Sequence, residues 1–480
     1  MASVKKNFLY SSILTVANYV FPLLTYPYVS RVLGVTNIGI CNFIDSVINY
    51  YILFSMMGIS TVAVREIAKN RNDREGLSSS FSSLLTLNLV STVLVIIALM
   101  VSIYVVPTLY EHKEMMYIGA FKVFFNFLLI EWFYKGIENF KYITNRTLAV
   151  KTIYVISVFL LVREPADYDV YYALSVFVIV VNAVINIAYS RRFAAYSIRG
   201  VRLGYYLKPF LVLGVYALLT SMYISFNVAY LGFVAGVDEV GYYTTASKIF
   251  GIMLSLFTAF TTVLLPRMSA LVAEKREVEF RQMTDKSIDL LFLFVMPVIV
   301  FSMIFSSQIV QLISGSGYDG AVVPMRIMAP LVFVIGYEQI IIVQVLTPLK
   351  KDRAILVNSV LGAAVGLSMN LLLVDRLGST GSAIVWFLAE VTVLCSGQHF
   401  VSKYVGFKFP YRKLFVNSLY AVPVSIVCYF ISCMELRFYG MLVTGGIVVS
   451  FYYFIVDIFI IKDSNAISAL KSLAKVYTKS

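Results

Sequence analysis

Long apolar segments separated by short polar ones recur along the whole chain. Many reach about 18 residues or more, the length at which an α-helix crosses a hydrocarbon layer of about 30 Å. Because lipid leaves backbone polar groups no other partner, such segments form helices. We therefore predict an all-α polytopic membrane protein. The pattern gives about fourteen spans, at residues 8–30, 40–64, 80–106, 115–134, 146–162, 170–189, 209–234, 241–265, 288–313, 324–347, 354–374, 382–402, 414–435 and 441–461.

The composition excludes an ordinary soluble domain. Of the 480 residues, 60% are hydrophobic and 14% are charged, whereas soluble domains hold about 25% charged residues. The four cysteines fall within predicted spans without zinc-site spacing, and only two histidines occur. We expect no metal site and no cofactor.

The net charge is +13, and the distribution of the positive residues along the chain agrees with the predicted topology. Cytoplasmic loops of membrane proteins are enriched in Lys and Arg. If the N-terminus is inside, most of these residues lie in inside loops. We therefore predict cytoplasmic termini and no nucleic-acid partner. The opposite side then holds only Arg31, Lys113, Arg163, Arg376 and Arg437.

Several residues recur at an offset of 202 positions. This spacing predicts an internal duplication, although chance recurrence at loop ends is the alternative. Equivalent spans lie six apart and share one orientation, so the repeat is parallel, with its axis along the membrane normal. Transporters built this way place the substrate between two lobes. The recurring residues are Gly34, Gly39, Arg65 and Arg74, which return as Gly236, Gly241, Arg267 and Arg276.

The repeat divides the chain into four predicted parts. Residues 1–208 form an N-lobe of six spans and residues 209–402 a C-lobe of six spans. Residues 403–461 add two spans. Residues 462–480 form a cytoplasmic amphipathic tail, whose apolar stripe suits the membrane surface.

Four cations are candidates for binding an anionic substrate. Lys122, Lys248 and Arg326 lie inside predicted spans, and Arg31 lies at the outer end of the first. An unpaired charge at a helix centre costs roughly 2.5–3.5 kcal/mol, so such residues usually face a cavity or a partner. We predict that the four surround one central cavity. The alternative is snorkelling of the long side chains to the interface.

Three acidic residues are candidates for coupling transport to an ion. Asp45 lies in the second span, and Glu131 and Glu338 occupy similar places in the two lobes. The alternative for Asp45 is a local salt bridge with Arg31 or Lys248. H+ or Na+ would be the coupling ion.

The first span also contains Pro22 and Pro27. Proline removes a helical hydrogen bond and bends the helix. A bent first helix beside Arg31 would suit a gate.

No sequence motif for catalysis is present. The chain has no Walker A pattern, and no loop between spans is long enough for a catalytic domain. We expect a protein that is not an enzyme and does not hydrolyse ATP.

The N-terminal region contains a distinctive set of segments, Leu24–Gly34 (LTYPYVSRVLG), Ile38-Gly39, Phe43–Tyr51, Gly58 and Val64–Lys69 (VREIAK). In these segments the chain resembles the polysaccharide-biosynthesis flippases, the Wzx-type O-antigen and capsule-unit flippases of the multidrug/oligosaccharidyl-lipid/polysaccharide (MOP) exporter superfamily. The similarity is most specific over residues 20–75 and continues as a span pattern along the chain.

This resemblance implies a MATE-like fold of twelve to fourteen helices in two six-helix lobes. It implies a substrate, an undecaprenyl-diphosphate-linked oligosaccharide moved to the outer leaflet of the bacterial plasma (inner) membrane. Similar lipid II flippases line a cavity with basic residues for the diphosphate, and Arg31 has a similar Arg-x-x-Gly context. Membrane lipids, a polysaccharide polymerase and chain-length proteins are the partners it suggests.

Three alternatives remain open at this point. A lipid II flippase would use the same mechanism, but the VREIA sequence favours the O-unit group. A cation-coupled multidrug exporter of the superfamily would need an acidic or aromatic cavity, which the four cations oppose. A polymerase acting on lipid-linked glycans, or a scaffold, is the third, and a polymerase should have a large outward loop.

Overall fold

The computed structural model describes residues 4–197, 201–434 and 438–456, and no strand occurs in these ranges. The predicted tail at 462–480 lies outside the described residues. The chain forms seventeen α-helices within the described ranges. They are α1 (Val4–Met56), α2 (Ile59–Asn70), α3 (Arg74–Val105), α4 (Pro107–Glu111), α5 (Lys113–Asn126), α6 (Glu131–Gly136), α7 (Phe140–Leu161), α8 (Tyr168–Ser190), α9 (Leu203–Val234), α10 (Val237–Ala273), α11 (Glu277–Ile304), α12 (Ser306–Ser314), α13 (Val322–Met328), α14 (Leu331–Glu338), α15 (Asp352–Val405), α16 (Tyr411–Cys433) and α17 (Phe438–Ile455).

The all-helical membrane fold predicted from the apolar pattern is confirmed, but the number of spans is not. Within the described ranges, nine helices are long and apolar enough to cross a membrane, or eleven if each of two bent pairs is one span. Two of the nine are unusually long: α1 has 53 residues and α15 has 54. Each would extend about 80 Å if straight, enough for two crossings. Fourteen spans therefore stays a prediction.

Both long helices bend at a glycine. Gly34 in α1 has φ 76° and ψ 173°, and Gly378 in α15 has φ 52° and ψ −130°. Glycine adopts positive φ without the steric penalty of a Cβ atom. Pro22 and Pro27 lie inside α1 before this break. The non-helical backbone of α1 is at Gly34, and a gating role for the two prolines remains a prediction.

Two glycines separated by the repeat offset make a reciprocal helix contact in the first part of the chain. A Cβ atom on Gly39 of α1 would lie 1.9 Å from the Val237 carbonyl oxygen. A Cβ atom on Gly241 of α10 would lie 2.4 Å from the Val35 carbonyl oxygen. The backbones of α1 and α10 therefore touch where both residues are glycine. Val35 and Val237 are also 202 positions apart, so the contact has the symmetry expected of a duplicated sequence.

The chain divides into two compact units, Met1–Thr244 (unit 1) and Thr245–Ser480 (unit 2). This boundary differs from the predicted lobe boundary at residue 208. The reason is that α9 packs against α1, α2 and α3, so it joins unit 1. The lobes inferred from the repeat remain a prediction.

A buried aromatic core holds unit 1 together beside α2 and α6. Phe81 of α3 packs against Trp132 and Phe133 of α6, with ring centroids 5.9 and 4.9 Å away. Such aromatic pairs add about 0.5–1.5 kcal/mol beyond their buried area. This core fixes the short helix α6, which begins with Glu131.

Candidate functional site

An ion pair inside unit 1 joins Lys122 on α5 to Asp45 on α1. The Lys122 ammonium group donates to Asp45 Oδ1 at 2.5 Å and to Asn49 Oδ1 at 3.0 Å. Asn49, one helical turn after Asp45, donates to Asp45 Oδ2 at 3.0 Å. The Lys122 side chain is only 14% exposed. Asp45 therefore offsets the free-energy cost of holding an ammonium group in a membrane span.

This pairing corrects one detail of the sequence interpretation. The sequence offers a salt bridge with Arg31 or Lys248 as the alternative role of Asp45, and the structure pairs Asp45 with Lys122. The reason is that α5 packs directly against α1. Arg31 is exposed on α1, one turn before the break at Gly34.

The other two predicted cations lie in unit 2. Lys248 on α10 is half-buried. Arg326 on α13 is exposed, and its Nε donates to the Ser306 hydroxyl at 2.6 Å. Arg31 and Lys122 thus lie in unit 1, and Lys248 and Arg326 lie in unit 2. That the four cations surround one cavity remains a prediction.

A second charged network in unit 1 is centred on Arg146 of α7. Its side chain is only 4% exposed, and Nη2 donates to Glu131 Oε1 at 2.9 Å. Nη1 donates to Asn186 Oδ1 at 2.5 Å, and the Tyr142 hydroxyl donates to the same oxygen at 2.9 Å. Lys135 lies 3.6 Å from Glu131 Oε2. Glu131 is therefore held between two cations.

A cavity of about 530 Å³ lies next to this network, between α2 and α6. Its wall includes Arg65, Asn126, Glu131 and Lys135. Two cations and one carboxylate give the wall a net positive charge. Behind the wall, Arg146 bonds to Glu131 and Glu66 lies 3.9 Å from Arg65, so these two opposite charges leave the net charge positive. The volume is within the range of sites for small ligands, about 300–1,000 Å³. The cavity is suited chemically to an anionic group.

Sequence reasoning missed Arg146 because it assigned this residue to a cytoplasmic loop. Arg146 is near the start of a predicted span, where a charge is normally solvated. A signal was nevertheless present in α8. Asn186 is a polar residue in the middle of an apolar segment, and polar groups there need partners.

Glu338 has a different environment from the other two predicted acids. It ends α14 in unit 2, is 6% exposed, and lies close to Glu390 of α15, which is 7% exposed. Asp45 and Glu131 are each held by a cation, whereas Glu338 faces a second carboxyl group. The three acids are thus not equivalent sites.

The fold is similar to that of solved membrane transporters. A solved structure of "Lipid II flippase MurJ, inward closed conformation" matches 94% of this chain and 98% of that chain, with a TM-score of 0.76 and 15% identity. An inward-facing multidrug resistance MATE family transporter of the MOP superfamily matches 82% of this chain and 98% of that chain, with a TM-score of 0.59 and 15% identity. At this identity the comparison shows the fold, which is that of MOP-superfamily transporters.

The sequence comparisons identify the family within this class. The family model described as "Polysaccharide biosynthesis protein" matches residues 4–272, so the chain belongs to this family. A second model, "Lipid II flippase MurJ", matches residues 149–453. The chain is also 25% identical over 353 residues to a "Putative O-antigen transporter" of Escherichia coli (strain K12), covering 72% of this chain and 83% of the relative. It is therefore a multi-pass transport protein of polysaccharide biosynthesis, not an enzyme.

Proposed function

We propose that the protein flips undecaprenyl-diphosphate-linked oligosaccharide repeat units from the inner to the outer leaflet of the bacterial plasma membrane. The flipped units would serve O-antigen, capsule or exopolysaccharide assembly. Both termini lie in the cytoplasm, and transport proceeds by alternating access. A polysaccharide polymerase and chain-length proteins would act on the product.

The electropositive cavity of unit 1 carries this proposal. A diphosphate bears at least two negative charges, which lipid does not solvate. Arg65 and Lys135 present cations to this cavity, and Arg146 neutralises the one carboxylate in its wall. Arginine forms paired hydrogen bonds with phosphate oxygens, and lysine attracts phosphate as a point charge. The cavity lies on the predicted cytoplasmic side, where the substrate is made.

The four cations predicted from the sequence are further candidates for contact with the anion. In unit 1, Arg31 is exposed beside the break in α1, and the Lys122 ammonium group donates hydrogen bonds to Asp45 and Asn49. In unit 2, the candidates are Lys248 and Arg326. We propose that these residues contact the diphosphate in turn during transport. The prenyl tail would remain in lipid.

Complementation of a flippase-deficient bacterium that makes the cognate glycan tests this function. We expect wild type to restore surface glycan, and Arg31→Ala, Lys122→Ala, Lys248→Ala and Arg326→Ala to reduce it at matched expression. A hydrogen bond to a charged group contributes about 1.5–3 kcal/mol. One lost contact should therefore lower the flipping rate about 10- to 100-fold.

The matched control is Arg376→Ala, which removes an exposed cation from α15. It should leave surface glycan unchanged. If all four test variants behave like this control, the cations do not bind the substrate.

Lipid II is the second candidate substrate, because the lipid II flippase model matches residues 149–453. Rescue of a strain depleted of its lipid II flippase, without rescue of O-unit export, would favour it. Rescue of O-unit export alone favours the repeat-unit substrate.

A further inference from the structure

A second basic cavity, which we call the arginine pocket, lies on the predicted cytoplasmic side of unit 1. Its volume is about 560 Å³, within the range of sites for small ligands. The α2–α3 turn, the α6–α7 turn and the residues that follow α8 form its wall. The polar wall residues are three arginines, one carboxylate and two amides, namely Arg71, Arg74, Arg192, Glu138, Asn72 and Asn139. The wall is therefore positively charged.

The arginine pocket is separate from the cavity beside Glu131. Among the described residues, none lines both cavities. Arg65 and Lys135 lie within α2 and α6 and line the cavity beside Glu131. Arg71 and Glu138 follow the same two helices and line the arginine pocket. The cations of one cavity can therefore be removed without changing the wall of the other.

The three arginines of the pocket differ in their contacts. Arg71 Nη1 donates to Glu138 Oε1 at 2.6 Å. The guanidinium carbon of Arg192 lies 5.2 Å from the centroid of the Tyr189 ring, close enough for attraction to the aromatic face. Arg74 and Arg192 are exposed, and within the described part of the chain neither forms a salt bridge. Two guanidinium groups are thus available to an anion.

The general excess of positive charge in cytoplasmic loops does not explain this pocket, because the sequence repeat does not reproduce it. At the 202-residue offset, Arg74 corresponds to Arg276 of unit 2. Arg276 forms salt bridges with both Glu274 and Glu279. The other two arginines of the pocket correspond to an alanine and a leucine. The converging arginines are therefore a feature of unit 1 and not of the repeated sequence.

Glu138 is the internal competitor for an anion, since it is the one acid among the described wall residues. Its φ of 60° is uncommon for a residue other than glycine, and such conformations cluster at binding sites. Its side chain is 48% exposed, so the carboxylate can leave Arg71 for water. The nearby Asp73 instead caps α3, where it accepts from the Glu75 amide at 3.1 Å.

We propose that the arginine pocket binds a phosphate group at the predicted cytoplasmic surface. Guanidinium groups form paired hydrogen bonds with phosphate oxygens. The N-terminal end of α7, which begins directly after Asn139, adds partial positive charge. The phosphate replaces the Glu138 carboxylate at Arg71. Headgroups of anionic phospholipids and soluble phosphate ions both present this group, and the site does not depend on the proposed flippase function.

Binding of radiolabelled inorganic pyrophosphate to the purified full-length protein tests the pocket. The background is Arg65→Ala/Lys135→Ala, which removes the cations of the other cavity. We expect this background to bind pyrophosphate, and Arg74→Ala or Arg192→Ala within it to weaken binding about tenfold or more, since each loses charged hydrogen bonds. The matched control is Arg353→Ala, which removes an exposed arginine from the start of α15 and should leave the affinity unchanged.

Glu138→Gln should change the affinity in the opposite direction. Because it frees Arg71 from a partly exposed ion pair, pyrophosphate should bind about two- to fivefold more tightly. A variant that merely misfolds would lose affinity, so a gain separates competition from damage to the fold. Weaker binding by Glu138→Gln overturns the replacement step.

Two results overturn the arginine pocket itself. One is the loss of all pyrophosphate binding in the Arg65→Ala/Lys135→Ala background. The other is an affinity of Arg192→Ala equal to that of the Arg353→Ala control. Neither result bears on the complementation test, so failure of this site is distinguishable from failure of the proposed function.

Reconstituted protein distinguishes the two sources of phosphate. Electron spin resonance in phosphatidylcholine vesicles would compare spin-labelled phosphatidylglycerol with spin-labelled phosphatidylcholine. Preferential binding of phosphatidylglycerol that Arg192→Ala abolishes assigns the pocket to a lipid headgroup. Equal binding of the two lipids, with pyrophosphate binding retained, assigns it to a soluble phosphate. If the protein binds neither pyrophosphate nor phosphatidylglycerol preferentially, the proposal is wrong.

Discussion

Gly39→Ala is expected to destabilise the protein severely. The new methyl carbon would lie 1.9 Å from the Val237 carbonyl oxygen, and the atom it meets is backbone, which cannot rotate away. Overpacking costs typically about 1–3 kcal/mol and occasionally more. Because α1 and α10 must separate to admit the methyl group, we expect the free energy of unfolding to fall by an amount at or above the top of that range. The thermal unfolding midpoint of the purified protein measures it.

The same contact gives a second variant and a matched control. Gly241→Ala places a methyl group 2.4 Å from the Val35 carbonyl oxygen, so it should destabilise similarly. The double variant should lose less stability than the two single variants added together, since one separation of the helices relieves both clashes. Gly251→Ala, where no atom lies within 4 Å, should be neutral or stabilising by up to about 1 kcal/mol. Wild-type stability of Gly39→Ala would refute the reciprocal contact.

Arg146→Ala should also destabilise the protein. This substitution leaves Glu131 Oε1 and the Asn186 side-chain oxygen without their guanidinium partner. Removing one member of a fully buried ion pair costs about 3–5 kcal/mol. Because the Glu131 side chain is 36% exposed and Lys135 stays 3.6 Å from it, we expect a smaller loss of stability, about 1–3 kcal/mol. Arg146→Lys should recover only part of the lost stability, because a lysine ammonium group does not reproduce the planar guanidinium that reaches both Glu131 and Asn186. Chemical or thermal unfolding of the purified variants measures the difference.

An exposed ion pair in the same unit provides the control. Arg71 Nη1 lies 2.6 Å from Glu138 Oε1, and the two side chains are 31% and 48% exposed. Arg71→Ala should cost no more than about 1 kcal/mol. Adding Glu131→Gln to Arg146→Ala should restore part of the stability, since it removes the carboxylate that has lost its guanidinium partner. Equal losses for Arg146→Ala and Arg71→Ala would show that the Arg146 network is not a buried, coupled site.

Most of the fold could be predicted from the sequence, because the patterns that specify it lie within short stretches of the chain. Membrane helices need apolar runs of a fixed length, and positive-φ positions need glycine. The repeat offset even identified Gly34 and Gly236, both of which have positive φ in the structure. The exact span count was harder to predict, since α1 and α15 each continue as one helix through the polar residues that separate two predicted spans.

The candidate site could be predicted only in part, because the residues that pair in it lie far apart in the sequence. Lys122 and Asp45 stood out as charges in apolar spans, but they are 77 residues apart and their pairing depends on how α5 packs against α1. Arg146 lies near a span end, where hydropathy predicts a solvated residue. Glu338 was identified, whereas its contact with Glu390 exists only once α14 packs against α15.

Flipping by the purified protein alone is the most direct test of the central claim. Proteoliposomes would contain undecaprenyl-diphosphate-linked oligosaccharide in the inner leaflet, and an added glycosidase would report its arrival outside. We predict that wild type exposes the glycan far faster than protein-free liposomes, and that Arg65→Ala/Lys135→Ala, which removes both cations from the cavity wall, falls towards the protein-free rate. Exposure by the wild type at the protein-free rate would contradict the account.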